Sequence, residues 1–204
     1  MVSAVIMASG YSTRMRKNKL MLPFKGKPII EHVIDAIKEC NFNEIILVGK
    51  EKKVLDIARR KNILTVLNTK AYKGQSQSIK LGILNISSSK GYMFFTGDQP
   101  LLNSYTINLL LNTFTENNDY IVIPKYKNKV GSPTIFPEKF KNELLNLQGD
   151  VGGKIVINNH INEILFANLR NGYSLFDVDT PKDYEYILNK NLYQGCDSYD
   201  KQHI

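Results

Sequence analysis

Short apolar runs alternate along the chain with amphipathic stretches. Residues 2–7 are almost wholly apolar and lead to Gly10, the pattern of a buried strand running into a loop. Pro28 opens a helix in which Ile30, Val33, Ile34 and Ile37 recur at helical spacing on one face. The β-branched run 44–48 predicts a second strand, 54–60 a short helix, 63–67 a third strand and 76–86 a further helix. A fourth strand at 92–96 stops at Gly97-Asp98-Gln99-Pro100, and a helix follows at 104–114 with Ser104 as its N-cap. A fifth strand at 120–123 is stopped by Pro124, and residues 125–169 are less regular, predicting an antiparallel excursion with long loops. Another strand at 174–178 and a closing helix at 181–188 end the pattern, and the polar residues after Lys190 predict a frayed tail.

This alternation predicts an α/β fold, a mainly parallel sheet covered by helices on both faces. Ligands of such sheets sit outside the carboxyl ends of the strands. The segments that fall there are 9–19, 97–100 and 177–181, so remote parts of the sequence converge on one edge.

Composition narrows the class. The chain has 204 residues, 43% hydrophobic and 23% charged, which suits one domain able to bury a core without disulfides or a structural metal. Its net charge of +8 fits an anionic small ligand or a nucleic acid. Arg14, Arg16, Lys17, Lys19, Lys25 and Lys27 cluster, while the remaining basic residues are dispersed as on a solvated face. No helix-turn-helix, RNA-recognition or zinc pattern supports a nucleic acid. Cys40 and Cys196 form no CxxC pair, which argues against a disulfide framework and fits a reducing cytoplasm. The N-terminal apolar run has no basic flank and is too short for a signal peptide or a membrane span.

Candidate chemistry begins with Met7-Ala8-Ser9-Gly10-Tyr11-Ser12-Thr13-Arg14-Met15 and Lys19. Small residues and a glycine let backbone N–H groups approach a polyphosphate. Arg14 supplies a planar fork and Lys19 a movable point charge. A glycine-containing turn alone reads as a basic surface turn; the two cations tip it towards phosphate. The segment is neither a Walker A loop nor GxGxxG, and the Walker-like stretch at 149–154 is one residue short. His32, His160 and His203 have no metal-ligand spacing.

Six segments together resemble the MobA/MocA-like nucleotidyltransferases. Ala8, Gly10, Ser12, Arg14, Met15 and Lys19 match the family's opening pattern L-A-[AG]-G-x-S-x-R-M-G-x-x-K, with departures at Ser9 and Arg16. Gly74-Gln75-Ser76-Gln77-Ser78 with Lys80 and Gly82 resembles its G-x-S-x-S-[LI]-x-x-G segment, and Gly97-Asp98-Gln99-Pro100 the G-D-Q-P of its molybdopterin cytidylyltransferases. Gly131-Ser132-Pro133, Gly149-Asp150-Val151-Gly152-Gly153-Lys154 and Asp177-Val178-Asp179-Thr180-Pro181-Lys182-Asp183 resemble three further motifs in the same order. Each is weak alone; order and spacing from residue 3 to residue 188 carry the resemblance.

The resemblance implies a three-layer α/β/α, Rossmann-like nucleotidyltransferase domain over 1–190, with a nucleotide-binding part at about 1–124, an acceptor-binding part at about 125–190 and a tail at 191–204. It implies Mg²⁺ held by Asp98 and Asp179, and catalysis by Arg14, Lys19 and Asp98. Two Asp residues suit Mg²⁺, which takes one or two protein carboxylates and completes its shell with water and phosphate. The nucleotide would meet Ala8, Ser9, Gly10, Ser12, Arg14, Lys19, Gln75, Ser76, Ser78 and Gly97. The acceptor would meet Gly131, Ser132, Gly149, Asp150, Gly152 and Lys154. Asp177 competes with Asp179 as the second ligand, and Asp183 reads as a first-turn helix residue. The implied reaction moves CMP from CTP to the phosphate of molybdopterin, releasing pyrophosphate, with CTP argued from Gly97-Asp98-Gln99-Pro100 and from a side chain at Ser9 that would crowd a purine. The product would pass to a molybdenum hydroxylase. No histidine base is required, because an acceptor phosphate with a second pKa near ~6 is already ionised. The obstacle is anion repulsion, about 4 kcal/mol per unit-charge pair at ~4 Å and a dielectric near ~20. The alternatives are a guanylyltransferase or a sugar- or polyol-phosphate nucleotidyltransferase on the same fold, and, from another class, a non-catalytic carrier of the cofactor.

Overall fold

The run Val2–Ala8 (β1) is buried at nearly every position, so both of its faces must be covered. The computed structural model, which describes residues 1–15 and 17–189, shows how. After β1 come a small hairpin, Pro23–Phe24 (β2) and Lys27–Pro28 (β3), helix Ile29–Lys38 (α1), strand Ile45–Gly49 (β4), helix Lys52–Arg60 (α2) and strand Leu64–Leu67 (β5). Helix Gln75–Leu84 (α3), strand Gly91–Thr96 (β6) and helix Ser104–Glu116 (α4) follow. The remainder is Ile121–Tyr126 (β7), Lys129–Val130 (β8), Thr134–Pro137 (β9), Lys141–Asn146 (α5), Lys154–Asn159 (α6), Ile164–Asn168 (β10) and Pro181–Asn189 (α7). The expected tail at 191–204, and Arg16 with its departure from the family pattern, lie outside the described residues.

The main sheet has the order β10-β7-β9-β6-β1-β4-β5, with β8 paired to β7. β1 pairs parallel with β4 and β6, β4 with β5, and β7 with β10; β9 and β8 are the antiparallel members. The excursion expected between residues 125 and 169 is these two strands. Side chains alternate across β1 with period two. Ala4 and Ile6 join the helices α1, α2 and α4, while Val5 faces Ile79 and Ile83 of α3, Leu144 of α5 and Val156 of α6. These are the two covered faces of a three-layer α/β/α domain. From β1 the chain crosses to β4 and β5 on one side and then returns to β6 on the other, so the crevice between β1 and β6 opens at their carboxyl ends.

Three local expectations are corrected. Pro124 does not end its strand, because β7 continues to Tyr126. The β7–β9 ladder is Val122 opposite Ile135, so the missing N–H of Pro124 falls beyond it, and the register with β10 continues with Ala167 opposite Pro124. The N-cap of α4 is Asn103, whose side chain accepts from the Thr106 N–H at 2.9 Å, and not Ser104, whose hydroxyl donates to Glu39 at 2.7 Å. Residues 174–178 form no strand. Tyr173–Leu175 is a 3₁₀ turn, and Val178 donates its N–H to the Asp98 carbonyl at 3.0 Å. Leu175 and Val178 are buried by crossing the strand ends, not by joining the sheet.

Candidate active site

Two segments reach the β1–β6 crevice from opposite sides. The first leaves β1 at Ala8. Ser9 turns its hydroxyl back to the Val48 carbonyl of β4 at 3.2 Å. Ser12 adopts φ +51°, a left-handed conformation that non-glycine residues rarely take and that active-site loops often retain. It accepts the Met15 N–H on its carbonyl at 3.0 Å and the Lys19 N–H on its hydroxyl at 3.4 Å. Asn18 caps the next turn through the Leu20 N–H at 3.0 Å and donates to Glu51 at 2.6 Å. The loop therefore folds back on itself and delivers Lys19 to the strand ends.

The second segment is held by a reciprocal cap. Thr180 precedes Pro181, the first residue of α7, where a proline loses no helical hydrogen bond. Its hydroxyl accepts the Asp183 N–H at 3.3 Å, while the Asp183 carboxylate accepts the Thr180 N–H at 2.6 Å and the Asp179 N–H at 3.1 Å. Asp183 is thus a first-turn helix residue, and Asp179 is fixed just ahead of the helix with its carboxylate free to point at the crevice.

There the Lys19 ammonium bridges Asp98 and Asp179, bonding Asp98 Oδ2 and Asp179 Oδ1, the latter at 2.7 Å. Arg14 Nη2 reaches Asp179 Oδ2 at 3.0 Å. Burial raises the Asp179 pKa, but Lys19 and Arg14 outweigh it and hold the carboxyl below its ordinary value. Burial likewise pulls the Lys19 pKa down, and the two carboxylates more than restore it, leaving it above the usual lysine value. Asp177 keeps an exposed surface, yet its carboxyl group is crowded. Loss of surrounding water, then the charges of Asp98 and Asp179, push it up to about 6, with the nearby Gln99 amide working the other way.

The donor set fits a hard divalent cation. Asp98 Oδ1 is buried with no hydrogen-bond partner, and the Lys19 ammonium already stands in as a cation between Asp98 and Asp179. No group of three or more His, Cys, Asp and Glu side chains able to hold a metal ion occurs among the described residues, and Mg²⁺ needs only one or two.

Beside this charge cluster opens a cleft of about 940 Å³. Ala8, Ser9, Gly10, Ser12, Lys19, Gln75, Ser76, Ser78, Gly97 and Asp98 all line it, together with Gly149 and Asp150. Several of the expected nucleotide contacts are already engaged. Ser76 donates its hydroxyl to the Gly149 carbonyl at 2.7 Å, and the buried Ser78 hydroxyl accepts from Asn68 at 3.2 Å. Of the expected acceptor residues, Gly149 and Asp150 close over the start of α3, with Asp150 accepting the Gln75 N–H at 3.1 Å. Gly74 makes this approach possible: at φ +89°, a Cβ there would lie 2.5 Å from the Asp150 backbone. Gly152 rests against the Gln75 side chain, and Lys154 opens α6 away from the cleft lining. Gly131 packs on Leu175, and the Ser132 carbonyl accepts from Gln99 at 3.3 Å. Outside the expected contacts stand Lys73 and Lys80 in the cleft wall and Gln99, buried beneath the Asp98 turn. Gln99 is legible as part of Gly97-Asp98-Gln99-Pro100 and Lys80 as part of the 74–82 segment; nothing in the pattern marks Lys73.

Fold and charge arrangement together define a class, an α/β protein that handles polyanions beside paired carboxylates. Residues 4–164 match the MobA-like NTP transferase domain, and the chain belongs to that family; it is a nucleotidyltransferase. A probable molybdenum cofactor guanylyltransferase of Natranaerobius thermophilus is 27% identical over 197 residues, covering 90% of this chain and 93% of that protein. The bifunctional protein GlmU of Sinorhizobium fredii is 28% identical over 126 residues, covering 59% of this chain but only 28% of its own length. Among solved structures, Rv0371c of Mycobacterium tuberculosis superposes with a TM-score of 0.79 at 21% identity, over 93% of this chain and 97% of that one. That protein also has a crystal structure in complex with manganese. No helix among the described residues is long and apolar enough to cross a membrane.

Proposed function

We propose that this enzyme transfers a nucleoside monophosphate from an NTP to the terminal phosphate of molybdopterin and releases pyrophosphate. The observation that carries the reading is the Lys19 bridge between Asp98 and Asp179, with the buried Asp98 Oδ1 unpartnered at the mouth of the cleft. A carrier that only hands a cofactor on has no need of this arrangement.

In this reading the nucleotide part, about 1–124, holds the donor and the part at about 125–190 holds the acceptor. Asp98 and Asp179 hold Mg²⁺, with Asp177 as the rival second ligand; the ion supplies charge neutralisation and orientation of phosphate oxygens. Glycine-containing backbone from Ala8 to Ser12 faces the triphosphate. Arg14, two-thirds exposed, swings between Asp179 and phosphate, and Lys19 neutralises the charge that grows on the leaving pyrophosphate. The acceptor phosphate attacks as the anion it already is, so the protein's task is positioning and charge, not proton removal. The two cysteines, far apart in sequence and without a CxxC pair, support a reducing cytoplasm as its compartment.

Gly97-Asp98-Gln99-Pro100 supports CTP as donor. Two observations favour a second reading, GTP. The relative that spans 90% of the chain is named a guanylyltransferase. The Ser9 hydroxyl is committed to the Val48 carbonyl, which weakens the case that it crowds a purine. The test is pyrophosphate release from each NTP with Mg²⁺ and molybdopterin, for the wild type and Asp98→Asn. Release with CTP, lost in the variant, supports the cytidylyl reading; release with GTP replaces the donor and keeps the mechanism. No release with any nucleotide from folded protein refutes the transfer reading.

A further inference from the structure

The acceptor side of the site contains a hairpin that none of the family motifs covers. β7 is parallel to β6, since each is antiparallel to β9, so its carboxyl end at Tyr126 lies at the same sheet edge as Thr96. From that edge the chain doubles back into β8, with Lys125 opposite Val130 and Tyr126 opposite Lys129. Residues directly opposite in an antiparallel pair share a face. One face carries Lys125, whose ammonium lies over the Phe166 ring, 4.7 Å from its centre. The other carries Tyr126 and Lys129. Tyr126 packs on Gly172, where a Cβ would come within 2.9 Å of its ring. Gly131, two residues past Lys129 on the same face, packs on Leu175. This second face therefore covers the segment 172–177, which ends in the carboxylate cluster, and the bond from Gln99 to the Ser132 carbonyl fixes the base of the hairpin to the Asp98 turn. In that placement the Lys129 charge favours the Asp177 carboxylate, more weakly than Asp98 and Asp179 oppose it.

The other cations near the site are engaged by partners or stand on its far side; Lys127 lies over the Tyr126 ring, 5.5 Å from its centre. Lys19 and Arg14 serve Asp98 and Asp179. Lys73 and Lys80 line the cleft on the α3 side. Lys139 pairs with Glu163, and Lys154 lies outside the cleft lining. Lys129 is exposed and makes no hydrogen bond or ion pair with a described residue. An anionic nucleophile must come close to Asp98, Asp177 and Asp179, and each of these carboxylates repels it. It needs a countercharge on its own side of the cluster.

We propose that Lys129 binds the phosphomonoester of the acceptor and thereby determines that the acceptor is phosphorylated. The inference rests on the transferase reading above and assigns one of its substrate contacts. In the transfer, one acceptor phosphate oxygen forms a bond to the α-phosphorus of the NTP as the bond from that phosphorus to the pyrophosphate oxygen breaks. The pyrophosphate leaves with that electron pair. Lys129 keeps its proton throughout and neutralises charge on the attacking phosphate.

The test is steady-state pyrophosphate release with molybdopterin and the active NTP, varying each substrate in turn, for wild type, Lys129→Ala, Lys129→Arg and Lys129→Glu, each checked by its thermal melt. The KM for molybdopterin is expected to rise about 10- to 100-fold in Lys129→Ala, the scale of one lost charge-assisted hydrogen bond. It should rise further in Lys129→Glu and return close to wild type in Lys129→Arg, with the KM for NTP and the kcat unchanged. Added salt should weaken molybdopterin binding less in Lys129→Ala than in wild type. If wild type transfers to molybdopterin and Lys129→Ala has an unaltered KM for it, the assignment of Lys129 falls while the transferase reading stands. An equal rise in both KM values also overturns the assignment. If wild type transfers to no phosphorylated acceptor, the transferase reading falls and takes this contact with it.

Discussion

Lys19→Met separates the electrostatic role of the ammonium from the packing of its stem, because methionine keeps most of the length and loses the charge. The side chains of Lys19 and Asp98 are 13% and 14% exposed, and that of Asp179 is 34% exposed. Removing one partner of a buried pair costs about 3–5 kcal/mol, because the other charge is left uncompensated. The Asp179 carboxylate is one-third open to water, so this contact adds at most about 1 kcal/mol. Asp177, pushed up to about 6 by burial and by Asp98 and Asp179, is already partly protonated at neutral pH, so it adds less repulsion than a full charge. The net loss in metal-free protein is therefore about 3 kcal/mol, near the lower end of the range. For a domain of this size each kcal/mol moves the Tm by ~2–4 °C, so the melt should fall by roughly 6–12 °C in chelator at neutral pH. Mg²⁺ supplies the second signature. With no ammonium competing for Asp98 and Asp179, added Mg²⁺ should raise the Tm of Lys19→Met by more than it raises that of wild type. Differential scanning calorimetry with and without Mg²⁺ reads both effects. A variant that melts with wild type in chelator, or that gains no more from Mg²⁺, would refute the bridge as the organising contact of the site.

Gly74→Ala puts a Cβ 2.5 Å from the Asp150 backbone at a residue with φ +89°, where no flexible side chain can yield. It should cost about 2–4 kcal/mol through strain and overpacking, read as a lower urea midpoint. Asp177→Asn should stabilise the metal-free protein. A carboxyl raised to about 6 in the folded state opposes folding above that pH and not below its unfolded value, so the gain should be present at neutral pH and absent in acid, as melts across pH would show. His160 behaves in the opposite sense. The hydrogen bond to Glu163, opposed by burial and joined by the one to Glu143, raises its pKa, so it contributes stability below its unfolded value of about 6.5, lost as pH rises through the folded value. His160→Gln should thus be less stable than wild type in mild acid and match it in alkali.

Much of the fold was legible because its strands and helices are held by one-dimensional patterns. β1 reads as buried on both faces because it is, and α1 shows its stripe of Ile30, Val33, Ile34 and Ile37 because that face meets β1, β4 and β6. The misreadings share a cause: local preference was overruled by a partner remote in sequence. Pro124 ends an isolated strand, but β7 carries on because its ladder with β9 has already finished. Residues 174–178, Ser-Leu-Phe-Asp-Val, make a short and mostly apolar run like a strand. They bury Leu175 and Val178 by lying across Asp98 and α4, with Ser174 sharing a hydrogen bond with Thr106 at 2.8 Å. Asn103 and Ser104 are both good caps, and only the position of Glu39 decides which hydroxyl or amide is left to close the helix.

The two sides of the site differ in legibility for a physical reason. On the proposed donor side, the residues assigned to function are also the ones the backbone geometry requires. The left-handed Ser12, the capping pair Thr180 and Asp183 and the turn carrying Asp98 are local structures with local sequence signatures, so the motifs locate Lys19, Asp98 and Asp179 from the chain alone. On the other side the motif residues do different work. Gly149 and Asp150 close the first turn of α3, Gly152 makes room for Gln75, and Lys154 begins a short helix outside the cleft. Their glycines mark where two segments must touch, and a close approach of backbones has the same sequence signature as a phosphate cradle. What can recognise an anion here is set by which face of the β7–β8 hairpin lies over residues 172–177. That depends on a pairing register and on packing at Gly131 and Gly172, neither of which is written in the spacing of lysines 125, 127 and 129. A substitution that shifts β8 by one residue against β7 would turn Lys129 away from Asp177, while β7, held by β10 with Lys125 opposite Asn168, keeps Lys125 over Phe166, so acceptor recognition depends on the hairpin register alone.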